Sequence, residues 1–368
     1  MTTAATDPIG HWARRGTWPQ RYFEQDDRVR EDFNNGFEKE DQEARWLEQC
    51  RAPDTGRPPS DQRPREEKSA PYRTARYEAV LAAKGSFMDE DEGGVKEESK
   101  DLCRALEANR TEPTRFPDRL FNAVCRKIRG RNEAMVIQDI ARLIVPSAQN
   151  LAIHKAGHLG LLIETVNEGW NNSLPLVGAR PQPDYAVGFR REAFTAARLS
   201  KLGGLVGDVV AGDASFYMAT YFMYLPFLTC EVKCGDAALD VADRQNAHSM
   251  TLAVRGVVDL FRRVGREGEV DREILAFSFS HDHSSVRIYG HYAVVRGDDT
   301  AFYRHPIRAF SFTERDGENK WAAYKFTKNV YDMWAPNHFR RLCSVIDELP
   351  PGHDWDGPPH SEGRGAEQ

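Results

Sequence analysis

Asp184, Glu231 and Lys233 are the residues of this chain best suited to chemistry. Asp184 lies in the run Pro183-Asp184-Tyr185-Ala186-Val187, and the other two lie in Leu228-Thr229-Cys230-Glu231-Val232-Lys233. Both runs are rich in the apolar, β-branched and aromatic residues of buried strands. A charge in such a strand is unfavourable unless a metal or an opposite charge meets it. Side chains alternate along a strand with period two, so Glu231 and Lys233 emerge on one face, roughly 7 Å apart along the chain. Two carboxylates and an ammonium converging at a sheet edge can hold a divalent cation beside a phosphate. That set points to phosphodiester chemistry. The alternative is a structural ion pair between Glu231 and Lys233.

Other constellations read as structural. His154 and His158 have the spacing of zinc ligands on a helix, but Lys155 stands where a zinc protease needs Glu. His281-Asp282-His283 falls in an expected turn, either a solvated hairpin or a phosphate-facing loop. Gly203-Gly204-Leu205-Val206-Gly207 lacks the Lys-Ser/Thr of a phosphate-binding loop. Cys230 and Cys234 flank the acidic site without a second Cys/His pair, so the six cysteines read as free thiols in a reducing compartment. Arg255, Arg262, Arg263 and Arg266 ride one helix, with a solvated face as the default and a phosphate-contacting rim as the minority reading. Tyr217, Tyr221, Phe222 and Tyr224 read as core or a loop anchor rather than a base-stacking platform.

Several elements must position the acidic set. Apolar spacing predicts helices over 119–128 and 132–144, ended by Pro146, then a helix capped by Ser147 and running to about Glu168. Leu174–Val177 is a short strand at best, Pro183–Phe189 a strand, and residues 195–215 an insertion or long loop. Tyr224–Cys234 is a strand apolar enough to be buried on both faces. Ala238–Gly265 is the clearest helix. Strands follow over Ile274–Ser280 and Val286–Val295, then a hairpin of Phe310–Phe312 with Trp321–Tyr324, and an amphipathic helix ending near Leu349. This order predicts an α/β fold with a mixed sheet.

The chain has 368 residues and a formal net charge of −6. Binding to nucleic acid through bulk charge is excluded, so any such contact must be local or metal-assisted. No signal region and no membrane-length apolar stretch is visible. The expectation is an intracellular protein of nucleus or cytoplasm, without a membrane partner. Oligomeric state is not legible. Polar, Pro-rich and acidic composition predicts a largely disordered arm over 1–112, an ordered domain over 113–349 and a disordered tail over 350–368.

Pro183-Asp184 with Glu231-Val232-Lys233 resembles the signature of the PD-(D/E)XK nuclease-like superfamily. Three stretches, Leu228–Gly235, Ala242–Met250 and Val286–Tyr292, are similar to a group of fungal proteins assigned to that fold. The resemblance covers roughly Asn150–Leu349 and implies a restriction-endonuclease-like αβββαβ core, a mixed central sheet flanked by helices. It implies that Asp184, Glu231 and the carbonyl of Val232 ligate Mg²⁺ (or Mn²⁺). Lys233 would orient the attacking water or stabilise charge on phosphorus, and Gln245 on the long helix would position water or a phosphate oxygen. Glu164 is expected to complete the site from the first core helix, with Glu168 as the alternative. The implied activity is Mg²⁺-dependent hydrolysis of nucleic acid. The long interval between Asp184 and Glu231 requires an insertion that leaves, caps or fills the site. A catalytically inactive module that binds a protein or nucleic-acid partner is the other expectation.

Overall fold

A computed structural model describes residues 68–108, 116–154, 156–178, 180–208, 212–234 and 239–350. The expected arm up to residue 67 and the tail from residue 351 lie outside the described residues. The boundary expected at residue 113 does not hold, because residues 68–108 are folded and carry helices α1 (Arg76–Ala82) and α2 (Glu97–Glu107). The acidic stretch before α2 is held by partners that composition does not reveal. Asp91 accepts from Arg272 at 2.5 Å and faces Arg296 at 3.3 Å.

The remaining helices are α3 (Asp118–Ile128), α4 (Glu133–Val136), α5 (Ala148–Ile153), α6 (Ala196–Val206), α7 (Leu239–Arg262), α8 (Ala322–Asn329) and α9 (Ala335–Glu348). Asn132 caps α4 by accepting from the Met135 N–H at 3.1 Å. That helix continues through a π turn at Ile137–Ala141 into Arg142–Ile144.

Seven strands form one mixed sheet: β1 (Leu162–Val166), β2 (Tyr185–Arg190), β3 (Met218–Thr220), β4 (Met223–Val232), β5 (Ile274–His281), β6 (Ser285–Arg296) and β7 (Asp299–Ser311). Their order is β1-β2-β4-β5-β6-β7, with β3 beside β4. Only the β4–β5 pair is parallel, which demands a crossover, and α7 supplies it. With the excursion that carries α6 and β3 set aside, the central run is α5, β1, β2, β4, α7, β5, an α/β order around a mixed sheet. Every residue of β4 is buried, as its continuous apolar character requires. Among the described residues no helix is long and apolar enough to cross a membrane.

Four elements differ from expectation. The Ser147 helix stops at Ile153, and after a 3-10 turn at Gly157–Leu161 the chain enters β1. Glycines at 157 and 160 weaken a continued helix, and Leu162-Ile163-Glu164-Thr165-Val166 gains a ladder against β2. Residues 299–311 form one long strand against β6, and Trp321–Tyr324 leads into α8 rather than a hairpin. The insertion after β2 holds a helix, α6, capped by Thr195, and it packs on α9. Leu174–Val177 is not a strand, although the Leu174 N–H donates to the Ser215 carbonyl at 3.0 Å.

Candidate active site

Strand register brings the predicted set together. Tyr185 pairs with Cys230, and Ala186 with Thr229. One step beyond the Tyr185–Cys230 pair, Asp184 stands opposite Glu231. Alternation then puts Ala186, Thr229 and Glu231 on one face of the sheet, while Asp184 and Lys233 lie one residue beyond the ends of β2 and β4. Tyr185, Cys230 and Val232 take the other face, where with Ile137, Ala141, Arg142 and Asp184 they line a small cavity. Glu231 in turn pairs with Ser280 of the parallel neighbour.

Helix α7 covers the Glu231 face. Asn246 accepts from the Thr229 hydroxyl at 2.7 Å and donates to the Phe279 carbonyl and Ser280 Oγ, both at 2.9 Å. These bonds fix the rotation of α7 over β4 and β5. Asp243 faces the β6 flank, accepting from Arg287 at 2.6 Å and from the Tyr289 hydroxyl at 3.1 Å. On the opposite flank Gly256 lies against Phe216, so close that an added Cβ would sit 2.2 Å from its carbonyl oxygen. Gln245 precedes Gly256 by about three turns, which places it on that same flank, above β2 and β4.

All four residues are buried: Asp184 is 5%, Glu231 1%, Lys233 3% and Gln245 7% exposed. Asp184 Oδ2 accepts the Val232 N–H at 2.8 Å, and Lys233 Nζ donates to the Val232 carbonyl at 2.8 Å. Lys233 also lies 3.7 Å from Glu133, in the first turn of α4. His281, paired with Val232, is fully buried; its Nδ1 lies 2.9 Å from the Asp282 carbonyl, and its Nε2 has no hydrogen-bond partner. Burial pushes its imidazole below the usual pKa, against the opposing pull of Asp282 and Asp184.

Glu164 does not join this set. It is on a strand rather than a helix, and it pairs with Val187, so its side chain takes the face opposite Glu231. There it accepts from Ser147 Oγ at 2.7 Å, the Gln149 N–H at 3.3 Å and the Tyr185 hydroxyl at 2.8 Å, with Arg142 at 3.6 Å. The acidic residue that the first core helix does bring to the site is Glu133. Its signal was the Asn132-Glu133 pair opening an apolar helical run, a cap followed by a first-turn carboxylate. Glu168, beyond the end of β1, is likewise not helical.

The donor set fits a hard divalent cation in part. Asp184 and Glu231 come opposite one another in register and the Val232 carbonyl is the next main-chain oxygen, the kinds of oxygen ligand such ions take. Thr165 Oγ1 and Gln245 Oε1 are buried on this side with no hydrogen-bond partner, as in a site that admits water. The Val232 carbonyl, however, already accepts from Lys233. Among the described residues no group of three or more His, Cys, Asp or Glu is placed to hold a metal.

Among the described residues of the insertion, β3 pairs with β4 near Met223 and Tyr224, at the end of the strand away from Glu231. His158 pairs with Asp332 at 2.8 Å rather than with His154. Tyr217 and Tyr224 are core residues, whereas Tyr221 and Phe222 are exposed at the β3–β4 turn.

Residues 120–346 match a family described as Domain of unknown function (DUF7924), and the chain belongs to that family. The matched span runs from α3 into α9 and contains the seven strands of the described residues and every residue of the candidate site. No curated protein and no solved structure matches the chain.

Proposed function

We propose that the chain is a nuclease-like phosphodiester hydrolase of the PD-(D/E)XK type, working with Mg²⁺ or Mn²⁺ on nucleic acid. The observation that carries this reading is the register that stands Asp184 opposite Glu231, with Lys233 two residues further on and its ammonium on the Val232 carbonyl. Asp184, Glu231 and the Val232 carbonyl would hold the cation, which when bound polarises the scissile phosphate and lowers the pKa of a coordinated water. Lys233 would then leave the Val232 carbonyl and turn its ammonium toward the phosphate, stabilising charge as water adds to phosphorus and the P–O bond to the leaving oxygen breaks. Glu133 would steer Lys233 between these positions. Gln245 would hold the water or a non-bridging oxygen.

The experiment is cleavage of labelled DNA and RNA by the purified chain with Mg²⁺ or Mn²⁺. Cleavage lost by ~10²-fold or more in both Asp184→Asn and Lys233→Met is the expected result. Equal cleavage in wild type and both variants rejects this site.

The burial of Asp184, Glu231 and Lys233 favours a second reading, a catalytically inactive nuclease-fold module that binds a protein or nucleic-acid partner. Absence of Mg²⁺ or Mn²⁺ binding by the purified chain in calorimetric titration would select it.

A further inference from the structure

Helix α7 covers the Glu231 face of the candidate site through Asn246, and the small cavity lies on the other face. The chain from α3 to Arg142 borders that second side. Glu133, in the first turn of α4, lies 3.7 Å from Lys233. Ile137 and Ala141 of the π turn, with Arg142, line the cavity together with Asp184. Helix α3 packs against the same π turn.

This stretch is basic in an acidic chain. From Asp118 to Arg142 it carries six basic side chains and three acidic ones, whereas the whole chain has a formal net charge of −6. Arg126 and Lys127 end α3, and Arg129 and Arg131 flank Gly130 in the turn before α4. All four are exposed, and among the described residues none has a side-chain partner. Elsewhere such charges are matched: Arg198, Arg266 and Arg287 each hold a carboxylate at 2.6–2.7 Å. Arg126 and Lys127 complement the C-terminus of α3. Arg129 and Arg131 lie past it, so the helix dipole does not account for them. Gly130 turns the chain at φ +75°, and an added Cβ would meet nothing there, so the space over the turn is open. Arg142 continues the line of cations to the cavity. Its guanidinium lies 4.4 Å from the Tyr185 ring centre and 3.6 Å from Glu164, and its Nη1 is buried without a hydrogen-bond partner. A planar guanidinium with a donor to spare matches a phosphate oxygen.

We propose that Arg126, Lys127, Arg129 and Arg131 form a nucleic-acid-binding rim, which holds the phosphodiester backbone across the α3–α4 turn and leads it toward the cavity that Arg142 shares with Asp184. The inference rests on the phosphodiesterase reading for what happens to the bound strand; the binding itself requires no catalysis. The rim is the local basic contact that an acidic chain needs in order to hold a polyanion. An anionic lipid surface would draw on the same charges. The rim, however, runs directly into Glu133, which meets Lys233, and into the π turn, which shares a cavity with Asp184. That continuity favours a nucleic-acid strand.

The test uses the full chain and labelled single-stranded and duplex DNA and RNA, in EDTA so that binding is read apart from cleavage. Anisotropy titrations from about 0.05 to about 0.2 M salt give the affinity and its salt dependence. Arg129→Gln/Arg131→Gln removes two rim charges. Arg73→Gln/Arg76→Gln, at two exposed arginines of the 3-10 turn Ala70–Arg73 and α1, is the matched control. Urea unfolding checks that both variants fold. The rim pair is expected to weaken binding by about tenfold or more and to lower the slope of log affinity against log salt by about 1.4 to 1.8, while the control keeps wild-type values. Equal affinity in rim pair and control overturns the rim. Wild type that binds neither DNA nor RNA overturns it too, and vesicles of phosphatidylcholine and phosphatidylserine then show whether the charges serve a lipid surface. With Mn²⁺ added, rim-dependent binding without cleavage overturns the phosphodiesterase reading and leaves the rim. Asp184-dependent cleavage at wild-type KM in the rim pair overturns the rim and leaves that reading.

Discussion

The Val232 N–H donates to Asp184 Oδ2 at 2.8 Å, so a side chain from β2 completes the hydrogen-bond ladder of β4. Asp184 thus has a structural duty beside any chemical one, and two substitutions separate them. Asparagine keeps the oxygen acceptor, whereas alanine leaves a buried N–H unsatisfied. Asp184→Ala is expected to lower the unfolding free energy by ~1–3 kcal/mol in urea titrations. Asp184→Asn is expected to stay near wild type in the same titration while losing Mn²⁺-dependent cleavage.

Glu164 offers the complementary control, since it lies across the sheet. Its carboxylate gathers Ser147, Gln149 and Tyr185 beside Arg142, and burial followed by that charge holds the Tyr185 phenol well above its usual pKa. Glu164→Ala leaves a guanidinium and three donors facing a void. A loss of ~3 kcal/mol in stability is expected, with cleavage per folded molecule unchanged. A selective loss of cleavage in a stable Glu164→Gln protein would return Glu164 to the site.

Asn246 sets how α7 rides over the sheet. Asn246→Leu removes its bonds to Thr229, Phe279 and Ser280 and leaves their polar groups buried. Thermal and urea unfolding should show a loss of ~2–4 kcal/mol. Asn246→Ser, short but polar, should recover part of it.

Acid should destabilise the fold through buried neutral histidines. Burial holds His248, His291 and His338 down to a pKa of about 3, against about 6.5 when free. Arg255, Arg304 and Arg341 respectively add to the effect. Below about pH 6.5 the unfolded chain takes up protons that the native chain refuses. Stability is therefore fully present above that pH and falls progressively toward pH 3, by up to ~1.4 kcal/mol per histidine per pH unit. Melting temperatures between pH 7.5 and 5 check this. His291→Gln, which keeps a donor for Ser278 Oγ, should flatten the slope.

Much of the site's frame was legible in the sequence because it rests on period-two alternation and one long helix. Spacing alone predicts a common face for Glu231 and Lys233, and α7 declares itself by the length of its apolar pattern; Asp184 comes opposite Glu231 only through the pairing of β2 with β4. Glu164 was misplaced because Leu159 to Val166 suits a helix as well as a strand, and only pairing with β2 decides between them. Glu133 was missed for the same reason, since the first core helix was taken one element too late. The folding of residues 68–108 was hidden because Asp91, Arg272 and Arg296 are far apart in sequence, and composition carries no record of who meets whom.

The sheet also contains a break between the site and the excursion that carries α6 and β3. Leu225 sits at φ +43° before Pro226, and Gly188 lies where an added Cβ would meet the Tyr224 carbonyl oxygen at 2.9 Å. Across this kink the β2–β4 register shifts, from Val187 with Leu228 to Phe189 with Tyr224. The shift is by an even number, so side chains keep their faces on both sides of it. Lengthening, shortening or replacing the α6–β3 excursion would perturb the Met223 end of β4 and die out at the kink. Asp184 and Glu231 would still face one another, leaving the excursion free to diverge and acquire partners of its own.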